Sequence, residues 1–372
     1  MKNTAIQGLK TEALQTIKNS FNIKFRIGSK DFDCFFGYYG PYGAYTPEAE
    51  LALSLLPAMQ LNASIDMKGK QLDALFLNSI TDIQAIYHHW DSTNSITQVL
   101  NTDSQKMSAP IGSKNGRIGV FFSGGVDSFF TLLKHKAEIT DIIFVHGLDI
   151  PLENTQLRNQ TVQAIKKVAE AFNVRLLEVE SDLKAQILPY GEWGRFTHGV
   201  ALASIALTLQ DEIDAVLIPG SHEYANLFPL GTHPMLDHLW STENLRFIHD
   251  GAEATRLEKV LMVAKSDIAL KHLRVCWKNP GGSYNCGKCE KCLRTMISLY
   301  AAGKLDQCPT FDVPLDFARV ARMKLKGENK RRFAIESLEL LIKTKGSKDL
   351  QKAIKTALRT SRFKGLFKKS YK

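Results

Sequence analysis

No apolar run in this chain approaches the length a bilayer-crossing helix needs. The stretch Met1 to Lys18 lacks the apolar segment of a secretory leader. Hydrophobic residues at 44% and charged residues at 23% are the proportions of a globular protein that folds in water. Internal repeats are absent, and so are low-complexity tracts outside the lysine-rich end. Cysteine is scarce: six in 372 residues, four of them between Cys276 and Cys292. That crowding excludes a distributed disulfide framework and suits a metal site in a reducing compartment. The expectation is a cytoplasmic protein, long enough for two domains.

Positive charge is unevenly spread. From Ala321 to Lys372 there are 17 Lys or Arg against 4 Asp or Glu, a local +13 in a chain whose total is +10, so the remainder carries about −3. A basic end of this kind can meet nucleic acid, an anionic membrane surface or an acidic partner, or it can be a solvated helical face.

Residues 1–106 read as a small α/β unit. Phe21, Ile23, Phe25 and Ile27 alternate with polar residues as a half-buried strand does, and Asp33 to Tyr39 is a second strand-like stretch. A short helix is expected over Pro47–Leu56, stopped by Pro57. From Leu72 to Trp90, apolar residues recur at helical spacing. Residues 107–117 have the turn-forming composition of a linker. A parallel α/β alternation follows, with strands at Ile118–Phe122, Asp141–Val145, Val174–Val179 and Ala215–Ile218. Helices are expected between them, at Leu157–Phe172 and His198–Leu209. Beyond residue 311 the pattern is helical and basic.

Chemistry concentrates at the ends of those strands. Ser123-Gly124-Gly125-Val126-Asp127-Ser128 joins a strand to a helix, so unpaired N–H groups and the helix dipole face outward, as an anion site requires. The lysine that precedes Ser or Thr in nucleotide-hydrolase loops is missing. His146-Gly147-Leu148-Asp149 and Gly220-Ser221-His222-Glu223 follow two further strands, and ligands of open parallel sheets bind at such carboxyl ends. Cys276, Cys286, Cys289 and Cys292, spaced C-x9-C-x2-C-x2-C, can converge as a tetrahedral S4 set. Zinc suits that set, an iron–sulfur cluster is its rival, and a closed thiolate shell points to a structural role. Cys34 and Cys308 are isolated thiols.

The SGGVDS turn resembles the pyrophosphate-binding loop of the PP-loop ATPases, SGGxDS, enzymes that cut ATP between its α- and β-phosphates to adenylate a substrate. Together with the cysteine knuckle and the Leu293-Arg294 that follows it, the region Arg117–Leu299 looks like the 7-cyano-7-deazaguanine synthase branch, whose members convert a carboxylate to an amide and then a nitrile. The resemblance implies a Rossmann-like parallel-sheet core with a zinc knuckle over 118–310. The preceding residues 1–106, the basic helical region 311–372, and the stretches Gly220–Glu223 and Gly231–His238 depart from that branch. The deazapurine acceptor is therefore not carried over.

Roles follow as expectations. Ser123, Gly124, Gly125, Val126 and Ser128 would grip the pyrophosphate part of ATP, and Asp127 would hold Mg²⁺. Val145, His146 and Gly147 would face the adenine through backbone groups. Asp149, Ser221, Glu223 and Asp237 would meet a small-molecule carboxylate or amide acceptor. His222 could serve as acid or base, with Asp127 and Ser128 completing the catalytic set. An ATP-dependent ligase or synthetase is the leading expectation. Thiolation of a nucleic-acid base and a nucleotide-binding regulatory module are the alternatives.

Overall fold

Strands with an unbroken apolar run, such as Ile142-Ile143-Phe144-Val145, have no polar face to show to water and must be covered on both sides. In the computed structural model, which describes residues 16–105 and 116–366, that requirement is met by a central sheet with helices on both faces. The strands are β1 (Asn19–Ile27), β2 (Lys30–Tyr38), β3 (Ile65–Asp73), β4 (Val99–Gln105), β5 (Ile118–Phe121), β6 (Asp141–His146), β7 (Arg175–Ser181), β8 (Ala215–Pro219) and β9 (Arg246–Asp250). All of β6 is buried. The main sheet has seven strands in the order β1-β2-β7-β6-β5-β8-β9, and β3 and β4 form a separate parallel pair.

From β7 to β9 every pairing is parallel. Counted from β5, that part reads 3-2-1-4-5, a doubly wound order whose direction reverses between β5 and β8. The turn at 122–125 and the segment 220–223 leave the sheet on either side of that switch point.

The expected separate N-terminal unit is corrected by the sheet. β1 and β2 form an antiparallel hairpin, and Phe36, Gly37 and Tyr38 of β2 pair with Ser181, Glu180 and Val179 of β7. β7 would otherwise be an open edge, and the hairpin covers it. Tyr38 seals the junction, its hydroxyl donating to Thr208 Oγ1 at 2.6 Å. One hydrophobic cluster runs from Ile23 and Phe36 through Val179 to Leu207. The expected linker lies, except for Gly116 and Arg117, outside the described residues.

The helix expected to stop before Pro57 runs instead over Pro47–Leu61. Thr46 caps its start and the left-handed Asn62 (φ 49°) its end. Residues 48–59 are all buried, and that burial outweighs the hydrogen bond Pro57 cannot donate. The C-terminal helices Glu328–Lys343 and Lys348–Leu366 are not a free tail. Leu338, Leu341, Leu350 and Ile354 pack on Leu293 and Ile297 of the helix Glu290–Ala301, which emerges from the cysteine knuckle. Among the described residues, no helix is long and apolar enough to cross a membrane.

Two glycines bring a loop onto the core beside the switch point. A Cβ on Gly199, in the helix His198–Leu207, would lie 1.7 Å from the carbonyl oxygen of Gly231. Gly231 N–H donates to Gly194 O at 3.0 Å from the other side. Gly199→Ala should therefore cost about 1–3 kcal/mol in urea unfolding, the usual range for forced overpacking. Unchanged stability would show that the loop yields freely.

Candidate functional site: a cationic crevice at the strand ends

The turn after β5 is held open by its own backbone. Phe122 N–H donates to Ile143 O, and Gly124 O accepts from Arg274 N–H at 2.7 Å. Gly124 has φ +77°, a conformation that side-chain-bearing residues avoid. Gly125 then caps the helix Val126–Lys134 without a side-chain bond. Ser128 Oγ turns to Gly125 O at 3.1 Å. Among the described residues, no acceptor meets the N–H groups of Val126, Asp127 and Ser128. Ser123, Gly125, Val126, Asp127 and Ser128 line a crevice of about 340 Å³.

The other walls come from the expected strand ends. Val145 near the end of β6 and Leu148 and Asp149 after it form one wall, and Pro219 at the end of β8 with Ser221 and His222 after it forms another. Trp193 and His198 stand at a π-type turn, a break in helix geometry frequent at functional sites. Phe144, Leu202 and the side chains around them make one half apolar. Arg256, Arg274 and Lys291 make the other half cationic.

Asp127 anchors that cationic half. Its Oδ1 accepts from Arg256 Nη1 at 2.6 Å and lies 3.9 Å from Lys259 Nζ. Ser221 Oγ donates to Oδ2 at 3.1 Å. Burial pushes the Asp127 carboxyl up, but Arg256 and Lys259 outweigh it and hold the pKa at about 2. Lys259 is fully buried and also donates to Gly220 O at 2.7 Å, which ties the end of β8 to the same cluster. Arg256 and Arg274 are only 6% and 4% exposed, and the Nε of each has no hydrogen-bond partner. Burial, helped by Arg294, lowers the His222 pKa despite Asp127, so the imidazole is neutral near pH 7.

Both Asp127 oxygens thus face protein donors, and the residues present do not form a cage for Mg²⁺. The expected magnesium ligand is an arginine partner. Other expectations also change. His146 lies on the opposite side of its strand from Val145, as successive side chains must. Its ring is buried between Glu180 and Pro151 O. Gly147 packs against Ser181 O, where a Cβ would come within 1.9 Å. Glu223 turns away to Arg332 and Asn226. Asp237 is buried, bonded to His249 Nδ1 at 2.7 Å and to His233 N–H. These four satisfy internal polar groups rather than the crevice. Ser123, Gly125, Val126, Asp127, Ser128, Val145, Asp149, Ser221 and His222 are brought together there. Sequence reasoning missed Arg256, Lys259, Arg274 and Lys291.

The sulfur atoms of Cys276, Cys286, Cys289 and Cys292 all lie within 4.8 Å of one another, an arrangement that could hold a metal ion such as zinc. Backbone N–H groups of Asn279, Cys289 and Cys292 point at three of the sulfurs. Such contacts stabilise thiolates. The hydrogen bond from the Cys292 thiol leads the effects that bring Cys289 down to about 5, a further fit to a metal-binding set. Cys34 and Cys308 are buried outside it.

No protein-family model, curated protein or solved structure matches this chain.

Two outcomes are expected. Purified protein should carry about one metal ion per chain, lost in Cys286→Ser with melting of the helices that pack on Glu290–Ala301. Elemental analysis with far-UV circular dichroism checks both, and a metal-free, fully folded chain would refute it. For Asp127, a folded pKa of about 2 against about 3.9 unfolded gives stability that is present above the unfolded value and lost as pH falls. The stability advantage of the wild type over Asp127→Asn should shrink by about 2 kcal/mol between roughly pH 5 and pH 2.

Proposed function

We propose that the crevice binds ATP and that the chain is an ATP-dependent ligase or synthetase of the PP-loop kind, adenylating a carboxylate or amide-like oxygen with release of pyrophosphate. The observation that carries this reading is the row of unpartnered N–H groups at Val126–Ser128, facing a cavity at the switch point with Arg256, Arg274 and Lys291 around it. Main-chain donors and cations there suit a polyphosphate. The apolar half, with Phe144, Val145 and Leu148, suits a flat base.

In that arrangement the acceptor oxygen attacks the α-phosphorus. The bond from that phosphorus to the bridging oxygen breaks, and pyrophosphate leaves with the electron pair. The loop N–H groups, Arg274 and Lys291 would stabilise the leaving charge. Asp127 holds Arg256 in place rather than touching the nucleotide. A carboxylate acceptor has no proton to lose. An amide-like acceptor loses one, and neutral His222 at the crevice wall can take it. The four cysteines would hold zinc as a structural ion, since a complete thiolate shell leaves no open position.

Sulfur transfer is less well supported. With four cysteines in the cluster, the carrier would be Cys34 or Cys308, which are 0% and 1% exposed. Burial pushes the Cys34 thiol up to about 12, where it is not a nucleophile at neutral pH.

Incubated with ATP, Mg²⁺ and a small-molecule extract, the wild-type chain should form AMP and pyrophosphate. Arg274→Ala and Asp127→Ala should each lower the rate about 100-fold, the scale of losing one preorganised charge contact. Equal turnover in both variants would remove the loop and its cations from the mechanism.

A further inference from the structure

A second cavity, of about 470 Å³, opens beside the first. The two share Asp127, Ser221, His222, Arg256, Trp277 and Lys291 as a common mouth. Beyond that mouth the wall is built by Arg294, at the end of the knuckle, and by the segment Lys326–Lys330, which leads into the first long C-terminal helix.

The charge of this wall is unbalanced. Arg256, Lys291, Arg294, Lys326 and Lys330 face Asp127, Glu290 and Glu328. Asp127 is taken by Arg256 and Glu290 by Lys330, the latter at 2.5 Å. Arg294 has no carboxylate partner among the described residues. Its Nε is buried without an acceptor, and its guanidinium lies 4.5 Å from the Phe333 ring centre. A half-buried guanidinium whose Nε is sealed from water without an acceptor is costly, and a ligand anion relieves that cost. The cavity has the size of a small-molecule site.

We infer that the acceptor is a small organic anion carrying a second anionic group, a carboxylate or phosphate that is not itself adenylated, held by Arg294, Lys326 and Lys330. This inference rests on the ATP reading for the identity of the first cavity's occupant. The reacting oxygen lies at the shared mouth near His222, and the second group anchors the molecule at the far end. Asn329 Nδ2 lies 3.4 Å from His222 Nδ1, so the segment that supplies the anchor also touches the mouth. The basic C-terminal region is then a wall of the site rather than a tail for a distant partner.

The test uses the full chain and isothermal titration. α,β-Methylene-ATP first saturates the nucleotide crevice, and phthalate or phenyl phosphate is then added as the probe. Saturable binding of at least one probe is expected. It should weaken about tenfold or more in Arg294→Gln and in the double variant Lys326→Gln/Lys330→Gln, the scale of losing charged hydrogen bonds. Affinity for the nucleotide analogue should stay within about twofold of wild type, because these side chains line the second cavity and not the nucleotide crevice. Tighter phthalate binding assigns a carboxylate, and tighter phenyl phosphate binding a phosphate. No saturable binding of either probe, or equal affinity in wild type and both variants, overturns the inference. Probe binding that depends on Arg294 in a chain that ignores the nucleotide analogue keeps the anion site and removes the ATP reading instead.

Discussion

Arg256, Lys259 and Arg274 are carried out of water into the protein, and Asp127 is the carboxylate within ion-pair distance of Arg256 and Lys259. Removing one partner of such a buried cluster leaves charge with no solvent to screen it. The rest of the site is arranged around that constraint. Lys259 fixes Gly220 O, so the end of β8 cannot drift. Arg274 fixes Gly124 O through its own N–H, so the loop after β5 keeps its left-handed turn. The end of β8 is thereby held by a buried cation, and the loop after β5 by the backbone of a residue whose buried side chain is itself cationic. A protein that only needed to fold would gain by exchanging such groups for apolar ones. On the function proposed above, an anionic ligand would supply the reason to keep them.

The cysteine knuckle belongs to the same arrangement. Arg274 and Trp277 flank Cys276, and Lys291 and Arg294 flank Cys292. Four sulfurs drawn together fix two chain segments ten or more residues apart, and with them the cations that face both cavities. The helix Glu290–Ala301, which begins within the knuckle, also carries the C-terminal helices on its Leu293 and Ile297 face. A structural metal there would act at a distance on anion binding, through the placement of side chains rather than through chemistry of its own.

Much of the core was legible because its signals are local. The apolar runs of β5, β6, β7 and β8 lie within a residue or two of their expected positions, since strands buried on both faces have no other composition. The glycine turn and the cysteine spacing were legible for the same reason. The N-terminal hairpin was not, because alternation in Phe21–Ile27 is the same whether the strand founds its own sheet or covers the edge of another. Pairing with β7 is set across some 140 residues by an open edge that no local pattern records. The cations were hidden differently. In Arg256-Leu-Glu-Lys-Val-Leu-Met-Val they resemble a solvated face, yet Arg256, Lys259, Val260 and Val263 share one side at helical spacing and are all buried. Reading charge against that stripe would have found Arg256 and Lys259. Glu223 and Asp237 misled because polar residues after strands are also used to satisfy neighbouring polar groups, here Arg332, Asn226, His249 and the backbone of His233.

On the proposed function, the two adjoining cationic cavities would suit adenylation. A carboxylate that attacks an α-phosphorus must approach a group of its own sign, and repulsion between them rises steeply in a site from which water is excluded. Cations at the shared mouth would reduce that repulsion where it matters, with Arg256 held in place by Asp127. On the inference above, an anchor at Arg294 would decide which acids are oriented for attack. A molecule without the second anion would leave the half-buried Arg294 guanidinium unpaired, so it would be rejected by the loss of an interaction rather than by a clash. Sites built on a buried polar group discriminate more strongly than those that only measure apolar size. Selectivity of that kind needs the anchor to be rigid, and the packing of Arg294 on Phe333 supplies that rigidity.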